Sequence, residues 1–174
     1  MTTVNTTEGT TQVYRVHIRA TPQAVWDAIT KPEWTARYGY GGLGEYDLRP
    51  GGKYRAMASE EMKGAGQEMG FPTPDVVVDG EVIEADAPHR LVQTWRMNMD
   101  PEMVAEGYTR LTYEIKEVQP GVTRLTVTHD LESAPKLAVL MRGGLEDTGA
   151  AGGGWSWTLS DLKTLLETGR RLAD

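Results

Sequence analysis

Apolar and polar positions alternate over residues 13–19, with Tyr14, Val16 and Ile18 on one side and Val13, Arg15, His17 and Arg19 on the other. That is the two-residue period of a half-buried strand. The period then changes. Thr21 is placed to cap a helix that carries Pro22 in its first turn, and Ala24, Val25, Trp26, Ala28 and Ile29 supply its apolar stripe. Lys31-Pro32 breaks this helix, and residues 33–37 predict a second, shorter one. Strand-like segments return at 43–48, 53–58, 76–84, 91–99, 108–118 and 122–130. The connections Gly51-Gly52, Ala87-Pro88 and Pro120-Gly121 are short, so the strands they join are antiparallel. Residues 59–75, with Gly64, Gly66, Gly70, Pro72 and Pro74, read as one long loop. Ser133 is placed to cap a short helix over 134–142 that ends at Gly143-Gly144. Near the C-terminus Trp155, Leu159, Leu162 and Leu166 step by four, three and four, which puts them on one face of a helix expected over about 147–167.

Strands bunched between helices predict an α+β fold with a curved antiparallel sheet of about six or seven strands. The last helix has only that sheet to bury its stripe against. Gly152, Gly153 and Gly154 precede the stripe and leave the first turn without bulk. A sheet gripping one helix, with room at its glycine end, is a container. Small residues such as Ala56 and Ala58 on an inner strand face make room for a void of roughly 300–1,000 Å³, the size of a ligand pocket.

Composition narrows the function. The 174 residues suit one domain, read as residues 12–174 after a Thr-rich tail over 1–11. With no cysteine there is no disulfide, thiolate metal site or cysteine nucleophile. A net charge of −7 argues against nucleic acid as a partner. No stretch approaches the roughly 18 apolar residues of a membrane span, and the N-terminus has no secretory pattern, so a cytoplasmic protein is expected.

Four local patterns, in order, carry a family likeness. They are Ala20-Thr21-Pro22-Gln23-Ala24-Val25-Trp26-Asp27-Ala28-Ile29-Thr30, then Asp47-Leu48-Arg49-Pro50-Gly51-Gly52-Lys53-Tyr54. The third is Gly80-Glu81-Val82-Ile83-Glu84 through Pro88-His89-Arg90-Leu91-Val92-Gln93-Thr94-Trp95. The fourth is Gly121-Val122-Thr123-Arg124-Leu125-Thr126-Val127-Thr128-His129, followed by Gly154-Trp155. Together they span about residues 13–168, and the chain resembles the START-like (SRPBCC) superfamily, in the branch named after the activator of the 90-kDa heat-shock-protein ATPase. The resemblance implies a helix-grip fold, as in the birch-pollen allergen, with an apolar cavity between sheet and C-terminal helix. It implies a hydrophobic small molecule as partner, and it leaves a homodimer and a chaperone partner open. It brings no cofactor and no universal catalytic residue.

Strand alternation and the helix stripe then give the candidate binding residues: Trp34, Tyr38, Tyr54, Ala56, Gln93, Trp95, Met97, Tyr113, His129, Trp155 and Leu159. The space they border is expected to open near Trp34 and Tyr38. Gln93 sits among apolar neighbours and needs partners if buried, with Tyr113 the favoured one over a ligand. His129 is the histidine on an inner face, read first as a strand-end residue bonded to backbone and second as an acid/base. Neither His17 nor His89 has a partner at metal-ligand spacing, so no metal site is expected. Gly39-Tyr40-Gly41-Gly42-Leu43-Gly44 matches a dinucleotide fingerprint only in letters, because it follows a helix and opens none. Met62, Met69 and Phe71 in the 59–75 segment could close over a ligand as a lid. The leading reading is non-catalytic binding of a hydrophobic or aromatic molecule. A cyclase- or dehydratase-type enzyme, a self-resistance protein for a natural product and a chaperone-regulating module are the alternatives.

Overall fold

The computed structural model describes residues 11–143 and 154–173. Its first strand, β1 (Thr11–Ile18), opens inside the segment expected to be a tail, and residues 1–10 lie outside the described residues. Two helices follow, α1 (Pro22–Thr30) and α2 (Pro32–Thr35). Thr21 caps α1 as its sequence predicts, its side chain accepting from the Ala24 N–H at 3.1 Å. Next come β2 (Leu43–Tyr46), β3 (Lys53–Met57), α3 (Glu60–Glu68), β4 (Val76–Asp86), β5 (Arg90–Met97) and α4 (Pro101–Glu106). The chain continues through β6 (Thr109–Gln119), β7 (Val122–Asp130), α5 (Pro135–Arg142) and α6 (Gly154–Thr168).

The seven strands form one antiparallel sheet in the order β1-β7-β6-β5-β4-β3-β2. Only β1 leaves its sequence neighbours, pairing with β7 at the far edge, so helices α1 and α2 carry the chain across one face of the sheet. Irregularities at Ala56/Met57 and Val82/Glu84 break the ladders on either side of β4. Such bulges bend a strand and let a sheet curve. The concave face buries Ile18, Val82, Leu91, Leu111, Ile115, Leu125 and Val127 against Val25, Ala28 and Ile29 of α1 and Trp155, Leu159 and Leu162 of α6.

Three local expectations are corrected. The segment 59–75 is not a loop throughout: α3 occupies its first half, with Ser59 accepting from the Met62 N–H at 3.2 Å. Gly64 and Gly66 weigh against a helix, but the Ser59 cap and first-turn Glu60 and Glu61 complement its N-terminal dipole. Met69 and Phe71, the proposed lid residues, stand in solvent, while Met62 packs on the core. The connection between the strands expected at 91–99 and 108–118 is not plain loop: it holds α4, capped by Asp100 through the Glu102 N–H at 2.8 Å. Ser133 does not cap α5, whose N-cap is Ala134. The Glu106 carboxylate takes the N–H groups of Lys136 at 2.9 Å and Leu137 at 3.1 Å instead, joining the end of α4 to the start of α5.

Gly154 changes the meaning of the glycine run. It is buried at positive φ, where a Cβ would run into the Met141 carbonyl at the end of α5. It therefore serves close approach of two helices rather than an open space. Gly152 and Gly153, the expected helix start near 147 and the Gly144 end of the preceding helix lie outside the described residues.

A buried carboxylate locks the end of the grip. Asp161 is 1% exposed and accepts from the Gly39 N–H at 2.8 Å and the Leu172 N–H at 2.8 Å. Arg171 lies 3.5 Å from the same carboxylate and donates to the Gly39 carbonyl at 3.1 Å. One side chain of α6 thus ties the loop after α2 to the C-terminal residues. Asp161→Ala strands two buried backbone donors and removes the carboxylate beside Arg171, and is expected to cost about 2–4 kcal/mol. Urea denaturation measures it, and a loss under about 0.5 kcal/mol would show that the tie carries no stability.

Candidate functional site

The inner faces of β3, β5, β6 and β7 and the first turns of α6 present aromatic side chains to one another. From β3 come Tyr54 and Ala56, each 9% exposed, and from β5 come Gln93 at 0%, Trp95 at 6% and the half-buried Met97. Tyr113 stands on β6, His129 on β7, and Trp155 and Leu159 on α6. Trp95 meets His129 edge-on at 5.2 Å, His129 meets Trp155 at 6.0 Å, and Trp155 meets Tyr113 at 6.2 Å. Perpendicular ring pairs of this kind set the negative face of one ring against the positive edge of the next.

His129 is held by side chains, not by the backbone contact its position suggested. The Trp155 indole N–H donates to its Nδ1 at 3.1 Å. An indole can only donate, so Nδ1 carries no proton and the neutral ring keeps its proton on Nε2. Nε2 then donates to Thr109 Oγ1 at 2.8 Å, and that hydroxyl donates to the Trp95 carbonyl at 2.9 Å. Every proton in the chain has a defined place. Burial pushes the His129 pKa down to about 3, so the ring is neutral at ordinary pH with both nitrogens engaged. That is the state of a structural crosslink between α6, β7 and β6.

A second group lies at the β2–β3 side and includes a residue the strand reading passed over. Tyr46 ends β2 opposite Tyr54 in register, and their rings stack at 4.4 Å. The signal was present in the Gly51-Gly52 hairpin, whose pairing sets Tyr46 against Tyr54. The Tyr46 hydroxyl donates to Gln93 Oε1 at 2.8 Å, so Gln93 is partnered by Tyr46 and not by Tyr113. Gln93 Nε2 has no partner. A buried donor left so costs about 1–3 kcal/mol.

Tyr38 reaches the same interior from the loop after α2, its hydroxyl donating to the Ala28 carbonyl at 2.8 Å. Burial raises the pKa of Tyr38, Tyr46 and Tyr113, and lifts that of Tyr54 to about 12 against partial opposition from Tyr46 and Trp95. All four phenols therefore stay neutral. Tyr38, Tyr46 and Tyr113 are partly buried and pack against the core. Trp34 lies on α2, half-buried, with the Arg37 guanidinium 4.8 Å over its ring.

Two concavities open to solvent lie elsewhere. One of about 490 Å³ is bordered by Lys63, Gln67, Phe71, Thr73 and Asp75, and one of about 400 Å³ by Ile83, Thr94, Tyr108, Arg110 and Glu132 on the outer sheet face. Beside the second, Asp79 accepts from Tyr108 at 2.8 Å, Asn98 at 3.0 Å and Arg96 at 3.3 Å. Burial raises the Asp79 pKa, but these partners outweigh it and hold the carboxyl below its usual range. Among the described residues no group of three or more His, Cys, Asp or Glu side chains could hold a metal ion.

The sequence pattern described as "Activator of Hsp90 ATPase homolog 1-like protein" matches residues 19–167. The chain belongs to this family. Its fold is shared with CalU16 from Micromonospora echinospora, at 18% identity and a TM-score of 0.59 over 91% of this chain and 77% of that one. A protein from Rhodobacter sphaeroides is similar at 20% identity and a TM-score of 0.61, over 91% and 93% of the two chains. An HSP90 activator from Plasmodium falciparum is similar at 21% identity and a TM-score of 0.52, over 94% and 91%. At these identities the likeness is one of fold. No curated protein is a match. Among the described residues no helix is long and apolar enough to cross a membrane.

Proposed function

We propose that this protein binds a hydrophobic, ring-containing small molecule between the sheet and α6 without transforming it. The observation that carries the reading is the set of core tyrosines. Tyr38, Tyr46, Tyr54 and Tyr113 come from four parts of the chain and pack on one core, and three of them are only partly buried. An apolar interior with a few convergent polar groups is the usual make-up of a small-molecule site. Trp34, Met97, Trp155 and Leu159 complete the proposed lining, with Ala56 as its small face.

The non-catalytic form of the reading is supported by the state of the polar groups. A proton-transfer enzyme needs an acid or base that titrates near its working pH. The four phenols are held neutral far above it, and His129 has both nitrogens engaged and its pKa near 3. CalU16 and the Plasmodium activator share the fold, and the names they carry differ, so fold alone does not choose a ligand.

The test uses N-phenyl-1-naphthylamine, an uncharged probe whose emission rises in apolar surroundings. It is expected to bind with modest affinity and to quench tryptophan emission. Ala56→Trp, which fills the proposed space, is expected to abolish binding while circular dichroism stays that of the parent. A folded Ala56→Trp protein that binds the probe as well as the parent would place the site outside the grip.

A further inference from the structure

Gln93 is fully buried on the inner face of β5, with its oxygen taken by Tyr46 and its nitrogen unpartnered. Tyr46, which holds the amide, and Tyr113, diagonal to it across the β5–β6 pair, both keep accessible surface. We propose that the interior site selects an uncharged ring system bearing a ketone- or quinone-type carbonyl, and that Gln93 is the residue that selects it by donating from Nε2. The inference rests on the binding reading above and adds the ligand class to it.

The direction of the hydrogen bond follows from the neighbour. The Tyr46 hydroxyl donates to Oε1, which leaves the amide only its N–H groups to offer. A plain hydrocarbon in the site leaves those donors unsatisfied. A ligand N–H would face them donor to donor. A carbonyl oxygen accepts from them, and a site built to hydrogen-bond one group discriminates strongly against analogues without it. The atom is sealed from solvent in this state, so the ligand reaches it by turning aside a partly buried ring, Tyr46 or Tyr113.

Charge is excluded by the same surroundings. Gln93 stands opposite Val82 and Leu111 in the sheet and is held by the Tyr46 phenol. The buried carboxylate of the C-terminal helix, Asp161, is already engaged by two backbone N–H groups and Arg171. A carboxylate ligand would be buried without a counter-ion, which is strongly unfavourable.

Four bicyclic probes of one size test this by calorimetry: indane, with no polar group; indole, a donor only; 1-indanone, an acceptor only; and 1-indanecarboxylate. The expected result is 1-indanone binding at least tenfold more tightly than indane, indole no tighter than indane, and no binding of the carboxylate. Gln93→Met should abolish the preference, so that 1-indanone and indane bind with the same affinity. Should that variant not fold, the parent supplies the readout: the Gln93 side-chain ¹⁵N–¹H signals shift with 1-indanone and not with indane. Equal binding of indane and 1-indanone would overturn the selection by Gln93 while leaving the binding site standing. Tightest binding by indole would overturn it by showing that the amide presents its oxygen. Failure of all three neutral probes to bind would overturn the proposal together with the site reading beneath it.

Discussion

Trp155→Ala lowers the stability of the protein by about 3–5 kcal/mol, the range for deleting a large core side chain. Trp155 is 6% exposed and joins three parts of the grip at once. Its ring packs edge-on to Tyr113 of β6 and His129 of β7, and its indole N–H is the donor that fixes the His129 tautomer. Alanine removes the ring, opens a cavity beside the sheet and leaves a buried imidazole nitrogen without a donor. The last effect pushes the loss toward the upper end of the range. For a chain of this size each kcal/mol lowers Tm by roughly 2–4 °C, so a fall on the order of 10 °C is expected. Trp155→Phe separates the two contributions. It keeps most of the ring volume and drops the N–H, and its smaller loss, about 1–2 kcal/mol, measures chiefly the hydrogen bond. If Trp155→Ala melts within about 2 °C of the parent, α6 is not gripped through this residue.

The parts of the fold that follow from period were legible in the sequence. The Trp155, Leu159 and Leu162 stripe is buried, and the alternation of β1 matches its burial, while in β5 and β7 the expected inner residues are covered together with Val92 and Thr126 of the other face. Family likeness supplied the helix-grip arrangement itself, which periodicity alone left as a sheet with one helix to cover. What escaped was polar and non-local. Asp161 looks like a solvent-facing residue of α6 until the loop at Gly39 and the tail at Leu172 are brought to it, and those contacts span 122 and 11 positions of the chain. Tyr46 became visible only through its register with Tyr54. The helix α3 was hidden by Gly64 and Gly66, whose low propensity is offset by a Ser59 cap. His129 was placed on the correct face, but its chemistry depended on which groups surround it. Alternation predicts the face a side chain takes and says nothing about whether a donor-only indole stands opposite.

That surrounding chemistry makes His129 the source of a pH dependence between about 6.5 and 3. In the unfolded chain the imidazole takes a proton near pH 6.5. In the folded protein burial holds it neutral until about pH 3. Above pH 6.5 both states are neutral and the residue contributes no dependence. As pH falls below 6.5 the unfolded state binds a proton that the native state refuses, so stability is lost at about 1.4 kcal/mol per pH unit. Below about pH 3 both states carry the proton and the loss levels off. The expected change from pH 7 to pH 5 is therefore about 2 kcal/mol. That window lies above the titration of Asp and Glu side chains in unfolded chains, which keeps the carboxylates out of the measurement. His129→Gln keeps a polar side chain and cannot titrate. Its stability at pH 7 will differ from that of the parent, but its change from pH 7 to pH 5 should be smaller by those 2 kcal/mol. Guanidinium denaturation of both proteins at the two pH values gives the comparison. Equal pH slopes would mean that His129 takes up its proton in the folded state near the ordinary pKa, and the neutral Trp155–His129–Thr109 crosslink would have to be abandoned.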